Sequence, residues 1–100
     1  MKSFKQESNN WTFLSNHSHV LLCLASDSSM RMRDIAQKVG ITERAVQRII
    51  ADLTEAGYID RFKNGRCNSY AIHREKHLRH PIEENKLIED LIRLIDLEKI

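Results

Sequence analysis

The sequence is short of the residues that interrupt, staple or anchor a chain. One proline and three glycines occur in 100 residues, 41% of which are hydrophobic. That balance argues for an ordered, helix-rich polypeptide. Two cysteines, Cys23 and Cys67, make no disulfide framework; Cys23 falls in an apolar helical stripe and is expected as a reduced core residue. No apolar run approaches the roughly 18 residues of a membrane span, and residues 1–10 are polar, without the hydrophobic region of a signal peptide. The cytoplasm is therefore the expected compartment. Catalytic signatures are missing as well. There is no Gly-rich phosphate loop, no G-x-S-x-G and no H-E-x-x-H, and the carboxylates are scattered over helix surfaces. No catalytic residue, bound metal or cofactor is implied, and an enzyme is excluded as the reading.

What is present is charge, unevenly placed. The length corresponds to one domain, able to fold alone, and the net charge is +2. Residues 31–80 carry eleven Lys and Arg against six Asp and Glu, a net of +5, whereas residues 81–100 carry three against six, a net of −3. The positive charge gathers on one stretch, as the footprint of a polyanion-binding surface does.

That stretch, residues 33–70, is the most patterned part of the chain. Ile35, Ala36 and Val39 recur at three- and four-residue spacing, so they share one face of a short helix starting near Arg33 or Asp34. Asp34 suits the positive end of the helix dipole. Gly40 ends this helix, since glycine takes the left-handed conformation freely. Thr42 is an N-cap for the next helix, with Glu43 in its first turn. Val46, Ile49, Ile50 and Leu53 then form an apolar stripe at i, i+3, i+4, i+7, and Gly57 closes the helix. Its outward residues are Arg44, Gln47, Arg48, Ala51, Asp52 and Glu55. The first three are side-chain types that reach base edges and phosphates in a major groove. An ordinary solvated helix face would carry the same types, but it leaves the next segment unexplained.

After Gly57 the period changes from 3.6 to 2. Residues 58–63 and 66–72 are β-prone runs around Asn64-Gly65, a strong hairpin signal. With those two residues as the turn, Lys63 faces Arg66, Phe62 faces Cys67, Arg61 faces Asn68 and Ile59 faces Tyr70. Ile59, Tyr70 and Ile72 then share the face turned to the helices. Towards the tip that face becomes Arg61, Lys63, Arg66 and Asn68. Like charges opposite each other cost a little stability, and a phosphate between them would remove that cost. A basic tip also protects an edge strand from aggregation; beside a basic helix face, contact with a nucleic-acid backbone is the favoured use.

The order Arg33-Asp34-Ile35-Ala36, Gly40-Ile41-Thr42, Arg44-Ala45-Val46, Arg48, Leu53, Ala56-Gly57-Tyr58-Ile59 and a basic hairpin resembles the winged helix-turn-helix transcriptional regulators of the MarR and ArsR type, over about residues 14–73. The compact length and Leu78-Arg79-His80-Pro81 before a last helix look like a small prokaryotic group of that superfamily. The resemblance implies a mainly α fold with a small β-hairpin wing, a winged helix-turn-helix of the α+β class. It further implies a second helix of the motif that reads the major groove and a wing along the backbone or minor groove. By similarity the DNA-contacting residues are Arg33, Thr42, Arg44, Gln47 and Arg48, with Arg61, Lys63, Arg66 and Asn68 on the wing. It implies, too, that Met30-Arg31-Met32 is a minimal strand pairing with the hairpin. The partner is double-stranded DNA; no effector is named by the residues.

The flanks complete the expected organisation: a flexible segment over residues 1–10, the DNA-binding domain over 11–76, and a linker with a dimerisation helix over 77–100. Ser15 caps a helix through about Ala25, with Val20, Leu21, Leu24 and Ala25 inward, and Trp11 and Phe13 ahead of it. Pro81 opens the final helix, with Glu83 and Glu84 in its first turn and Lys99 in its last. Leu87, Ile88, Leu91, Ile92, Leu94, Ile95 and Leu97 make its stripe wider than one side of a small module covers. A two-fold partner would supply the second surface, through Trp11, Phe13, Leu87, Ile88, Leu91, Leu94 and Ile95. Such a homodimer would read a pseudo-palindromic operator. Packing wholly within its own chain is the alternative for that helix. Two further alternatives stand for the function. One is a winged helix used for protein contact. The other is an ArsR-like metal-responsive regulator built on His73, His77, His80 and Cys67, although no Cys-x-Cys or Cys-x-x-Cys occurs.

Overall fold

The computed structural model describes residues 10–100, so the expectation for residues 1–10 lies outside the described residues apart from Asn10. Three helices come first: α1 (Asn16–Ser26), α2 (Met32–Val39) and α3 (Glu43–Glu55). A two-stranded antiparallel hairpin follows, β1 (Ile59–Asn64) and β2 (Cys67–Ile72), then α4 (Ile88–Leu94) and a 3₁₀ turn (Leu97–Lys99).

Each early helix begins and ends where local chemistry dictates. The Ser15 hydroxyl accepts the Ser18 N–H, and the Thr42 hydroxyl accepts the Ala45 N–H at 3.0 Å, each satisfying an orphan donor of a first turn. Gly40 stops α2 at φ +87°, and the Ile41 N–H reaches back to the Ala36 carbonyl at 3.1 Å. An L side chain at that φ would clash with its own backbone. At the end of α3, Gly57 donates to Thr54 and Tyr58 to Leu53, the paired bonds of a Schellman ending.

α1 is the axis of the core. Val20, Leu21, Leu22, Cys23 and Leu24 are all buried, a wider set than the expected stripe, because α2, α3, β2 and the C-terminal turn pack around it. A helix apolar on nearly every side belongs inside. Burial pushes the Cys23 thiol above its usual range, so it stays protonated. Ile35 and Ala36 of α2, and Val46, Ile49, Ile50 and Leu53 of α3, close over it with Tyr58, Ile59 and Tyr70.

Three expectations are corrected. The hairpin turn is Gly65-Arg66, so Asn64 pairs with Cys67, Lys63 with Asn68, Arg61 with Tyr70 and Ile59 with Ile72. A turn centred on Asn64-Gly65 needs positive φ at both residues. Here Gly65 alone in the hairpin has it (φ +67°), which suits a turn with glycine first. Face membership survives, because each residue of β2 moves by two places against β1. Arg66, however, leaves the ladder for the turn.

Second, Met30-Arg31-Met32 is not a strand. Met32 opens α2, and the hairpin's third partner is reduced to one bond, from the Tyr70 N–H to the Ser28 carbonyl at 2.9 Å. Third, no helix starts at Pro81. Residues 76–78 and 86–88 hydrogen-bond to each other instead (Leu78 N–H to Lys86, Ile88 N–H to Lys76), with a His77–Leu87 bridge between them. This closes residues 79–85 into a turn-rich loop whose apolar residue, Ile82, is 84% exposed. α4 begins at Ile88, where the Asp90 carboxylate accepts the Leu87 N–H. It puts Ile88 and Ile92 into the chain's own core, with Leu91 and Ile95 half-buried and Leu94 exposed.

Candidate nucleic-acid interface

The outward side of α3 carries Arg44, Gln47 and Arg48, all exposed. Arg44 and Arg48 stand one turn apart on the N-terminal half. Neither makes an ion pair with a carboxylate of the described residues, and the same holds for Arg33 on α2 and for Arg61, Lys63 and Arg66 on the hairpin. The contrast lies at the other end of the chain. There Glu89 collects Arg93 at 2.8 Å and Arg74 at 3.0 Å, and those two guanidinium groups hold its carboxyl below the usual range. Arg74 and Arg93 are thus neutralised, whereas the α3 and hairpin cations have no carboxylate partner among the described residues.

Local structure sets each position. Thr42 is exposed with its oxygen committed to capping, which leaves its O–H free to donate outward. Arg61 and Lys63 lie on the hairpin face that continues from buried Ile59, opposite Tyr70 and half-buried Asn68. Arg66 sits at the turn. Phe62, on the other face, is 54% exposed.

Two carboxylates, Asp52 of α3 and Asp60 of β1, meet histidines from other segments. His17 of α1 places Nε2 at 2.9 Å from Asp52 Oδ2, one turn beyond Arg48. His73, after the hairpin, places Nε2 at 2.7 Å from Asp60 Oδ2 and Nδ1 at 3.5 Å from Glu75. The hydrogen bond to Asp60 raises the His73 pKa, with both carboxylates adding to it. Neither pairing was legible in the sequence: the partners are 35 and 13 residues apart, and no local period links them.

The remaining histidines are engaged locally. His77 Nδ1 meets the Glu84 carbonyl at 2.7 Å, and His80 Nδ1 accepts the Ile82 N–H at 3.1 Å. Cys67 is exposed on the hairpin. Among the described residues no three His, Cys, Asp or Glu come together in a way able to hold a metal ion.

The helix–turn–helix of α2 and α3, packed on α1 and followed by a basic hairpin, decides the architecture. Residues 15–60 match the family of winged helix-turn-helix DNA-binding domains. The fold is a winged helix-turn-helix. Among solved structures it is similar to MepR, a transcription regulator of the Staphylococcus aureus multidrug efflux pump MepA, with a TM-score of 0.53. The identity is 16%, over 85% of this chain, so the likeness is one of fold, and this chain covers 58% of that regulator. Curated proteins give no match by sequence. The matched family is one of DNA-binding domains, not of enzymes. Among the described residues no helix of the winged helix is long and apolar enough to cross a membrane.

The expected dimer residues divide in two. Ile88 is 5% exposed and belongs to the core; Leu87, Leu91 and Ile95 are half-buried. Trp11, Phe13 and Leu94 are 64%, 93% and 72% exposed. Trp11 and Phe13 meet edge to face at 5.1 Å and line an open groove with Leu22, Ile95 and Ile100.

Proposed function

We propose that this protein is a sequence-specific double-stranded DNA-binding transcriptional regulator that works as a homodimer in the cytoplasm of a prokaryotic cell. α3 enters the major groove through Thr42, Arg44, Gln47 and Arg48. The wing lies on the backbone or in the minor groove through Arg61, Lys63, Arg66 and Asn68, with Arg33 of α2 on a flanking phosphate. The observation that carries this is the exposed, unneutralised Arg44–Gln47–Arg48 face on the second helix of a winged helix-turn-helix. In such motifs the N-terminal residues of that helix meet the base edges, and bidentate arginine is the commonest reader of guanine.

Dimerisation is supported by the exposed aromatic pair Trp11 and Phe13 and by Leu94, bulky apolar surface that an isolated copy leaves in water. A two-fold pair would present two copies of α3 to successive major-groove faces about 34 Å apart, and so would read a pseudo-palindrome.

The test is Arg44→Ala with Arg48→Ala, assayed against a site selected from random duplexes and against random duplex itself. A base-reading arginine should cost about 1–3 kcal/mol on the selected site and much less on random DNA. Equal loss on both would assign the two arginines to phosphate. No loss on either, together with binding that ignores salt, would favour a winged helix used for protein contact, because phosphate-driven affinity falls steeply as salt rises.

A further inference from the structure

A recess of about 650 Å³ opens between α1, the C-terminal half of α3, the loop of residues 79–85 and α4. Small-molecule sites have this size. Its apolar wall is Leu78 and Leu91, both half-buried, over the buried side chains of Leu53 and Ile88. Charges of both signs stand on the rim. Asp52 is held by His17 at 2.9 Å, whereas Glu55, Glu83 and Arg79 have no ion-pair partner among the described residues.

The loop brings the two signs together. The Glu83 N–H donates to the His80 carbonyl at 2.8 Å, so His80 and Glu83 are the two ends of one turn. The Cα atoms at the ends of such a turn are less than about 7 Å apart. The Ile82 N–H donates to His80 Nδ1 at 3.1 Å. That nitrogen is therefore the acceptor, and the neutral ring carries its proton on Nε2. One end of the turn offers an imidazole donor with the Arg79 guanidinium next to it. The other end offers the Glu83 carboxylate, and Glu55 of α3 adds a second carboxylate to the lining.

The rim selects a ligand by charge. A lone cation leaves Arg79 unmatched, and a lone anion leaves two carboxylates unmatched, so each forfeits part of the complementarity that gives specificity. An ammonium and a carboxylate on one carbon answer both signs, and an apolar side chain on that carbon answers Leu78 and Leu91. We propose that the recess binds a free α-amino acid with an apolar side chain. Its carboxylate accepts from Arg79 and from His80 Nε2, and its ammonium donates to Glu83 and Glu55. These are charge-assisted hydrogen bonds, the stronger kind. The recess meets α3 beyond Arg44 and Arg48, so the site is separate from the helix face assigned to DNA and does not depend on that assignment.

Calorimetry of the full chain with L-leucine tests this. Three controls each remove one part of the ligand: isocaproate lacks the ammonium, isoamylamine lacks the carboxylate, and free glycine lacks the side chain. L-leucine should bind, and each control should bind at least about tenfold more weakly, the loss expected when a charged or apolar contact goes unmatched. Glu83→Gln should weaken L-leucine about tenfold and leave isocaproate unchanged, and Arg79→Gln should weaken L-leucine about tenfold and leave isoamylamine unchanged. Both positions are exposed, and circular dichroism checks that each variant is folded. Isoamylamine or isocaproate binding as tightly as L-leucine would make this a site for a simple cation or anion and overturn the proposal. So would a full chain that takes up no L-leucine at millimolar concentration, or folded variants that bind it unchanged. Each of these results leaves the DNA-binding reading standing.

Discussion

His73 and Glu89 tie stability to pH from opposite sides. The Asp60 hydrogen bond raises the folded-state pKa of His73 above its unfolded value of about 6.5. Its contribution is therefore fully present below that value and is lost as pH rises through the folded pKa. Arg93 and then Arg74 lower the pKa of Glu89, so its contribution is present above the ordinary glutamate range and is lost as pH falls through the lowered value. Thermal melts of the full chain and His73→Asn should differ most at mildly acid pH and converge on the alkaline side. A difference that grows with pH would contradict the assignment. Single residues were unevenly legible in the sequence. Ser15, Thr42 and Gly40 act within a turn of their own position, so their types announced them. The His17–Asp52 and His73–Asp60 contacts depend on how helices and hairpin pack, and nothing in the residue order marks them.

The same division holds for elements. α1, α2 and α3 could be read because apolar spacing and caps agree at each end. The wing was placed on the right face but in the wrong register, since Asn-Gly and Gly-Arg turns each satisfy a glycine with positive φ and differ by one residue of chain. Met30-Arg31-Met32 was misread because three residues carry no period, and the start of α2 claimed Met32. Gly65 tests the observed register. A Cβ there meets nothing within 4 Å, so the cost of Gly65→Ala comes from its φ of +67° alone, about 1–2 kcal/mol. That loss should appear in urea unfolding, whereas Asn64→Ala, in the ladder at negative φ, should cost far less. Equal losses would return the turn to Asn64-Gly65.

At the scale of the molecule, the acidic C-terminal segment serves the core first. Pro81, Glu83 and Glu84 carry the signature of a helix start, but one apolar side chain in residues 81–86 cannot anchor a helix to a core, and pairing of residues 76–78 with 86–88 takes the backbone instead. Ile88→Ala should therefore cost about 2–5 kcal/mol of stability, as buried isoleucines do. Leu94→Glu, at a 72% exposed position, should leave the melting temperature of the protomer nearly unchanged and turn a sedimenting dimer into a monomer. A dimer that survives Leu94→Glu would move the interface to Trp11 and Phe13. The pairing of residues 74–78 with 86–89 has a mechanical consequence. The Glu89 N–H is bonded to the Arg74 carbonyl, the Ile88 N–H to Lys76, and the Tyr58 hydroxyl to the His77 carbonyl, so hydrogen bonds tie the start of α4 to the segment that leaves the hairpin. A displacement of α4 would therefore pull first on residues 74–78, where the chain leaves the hairpin.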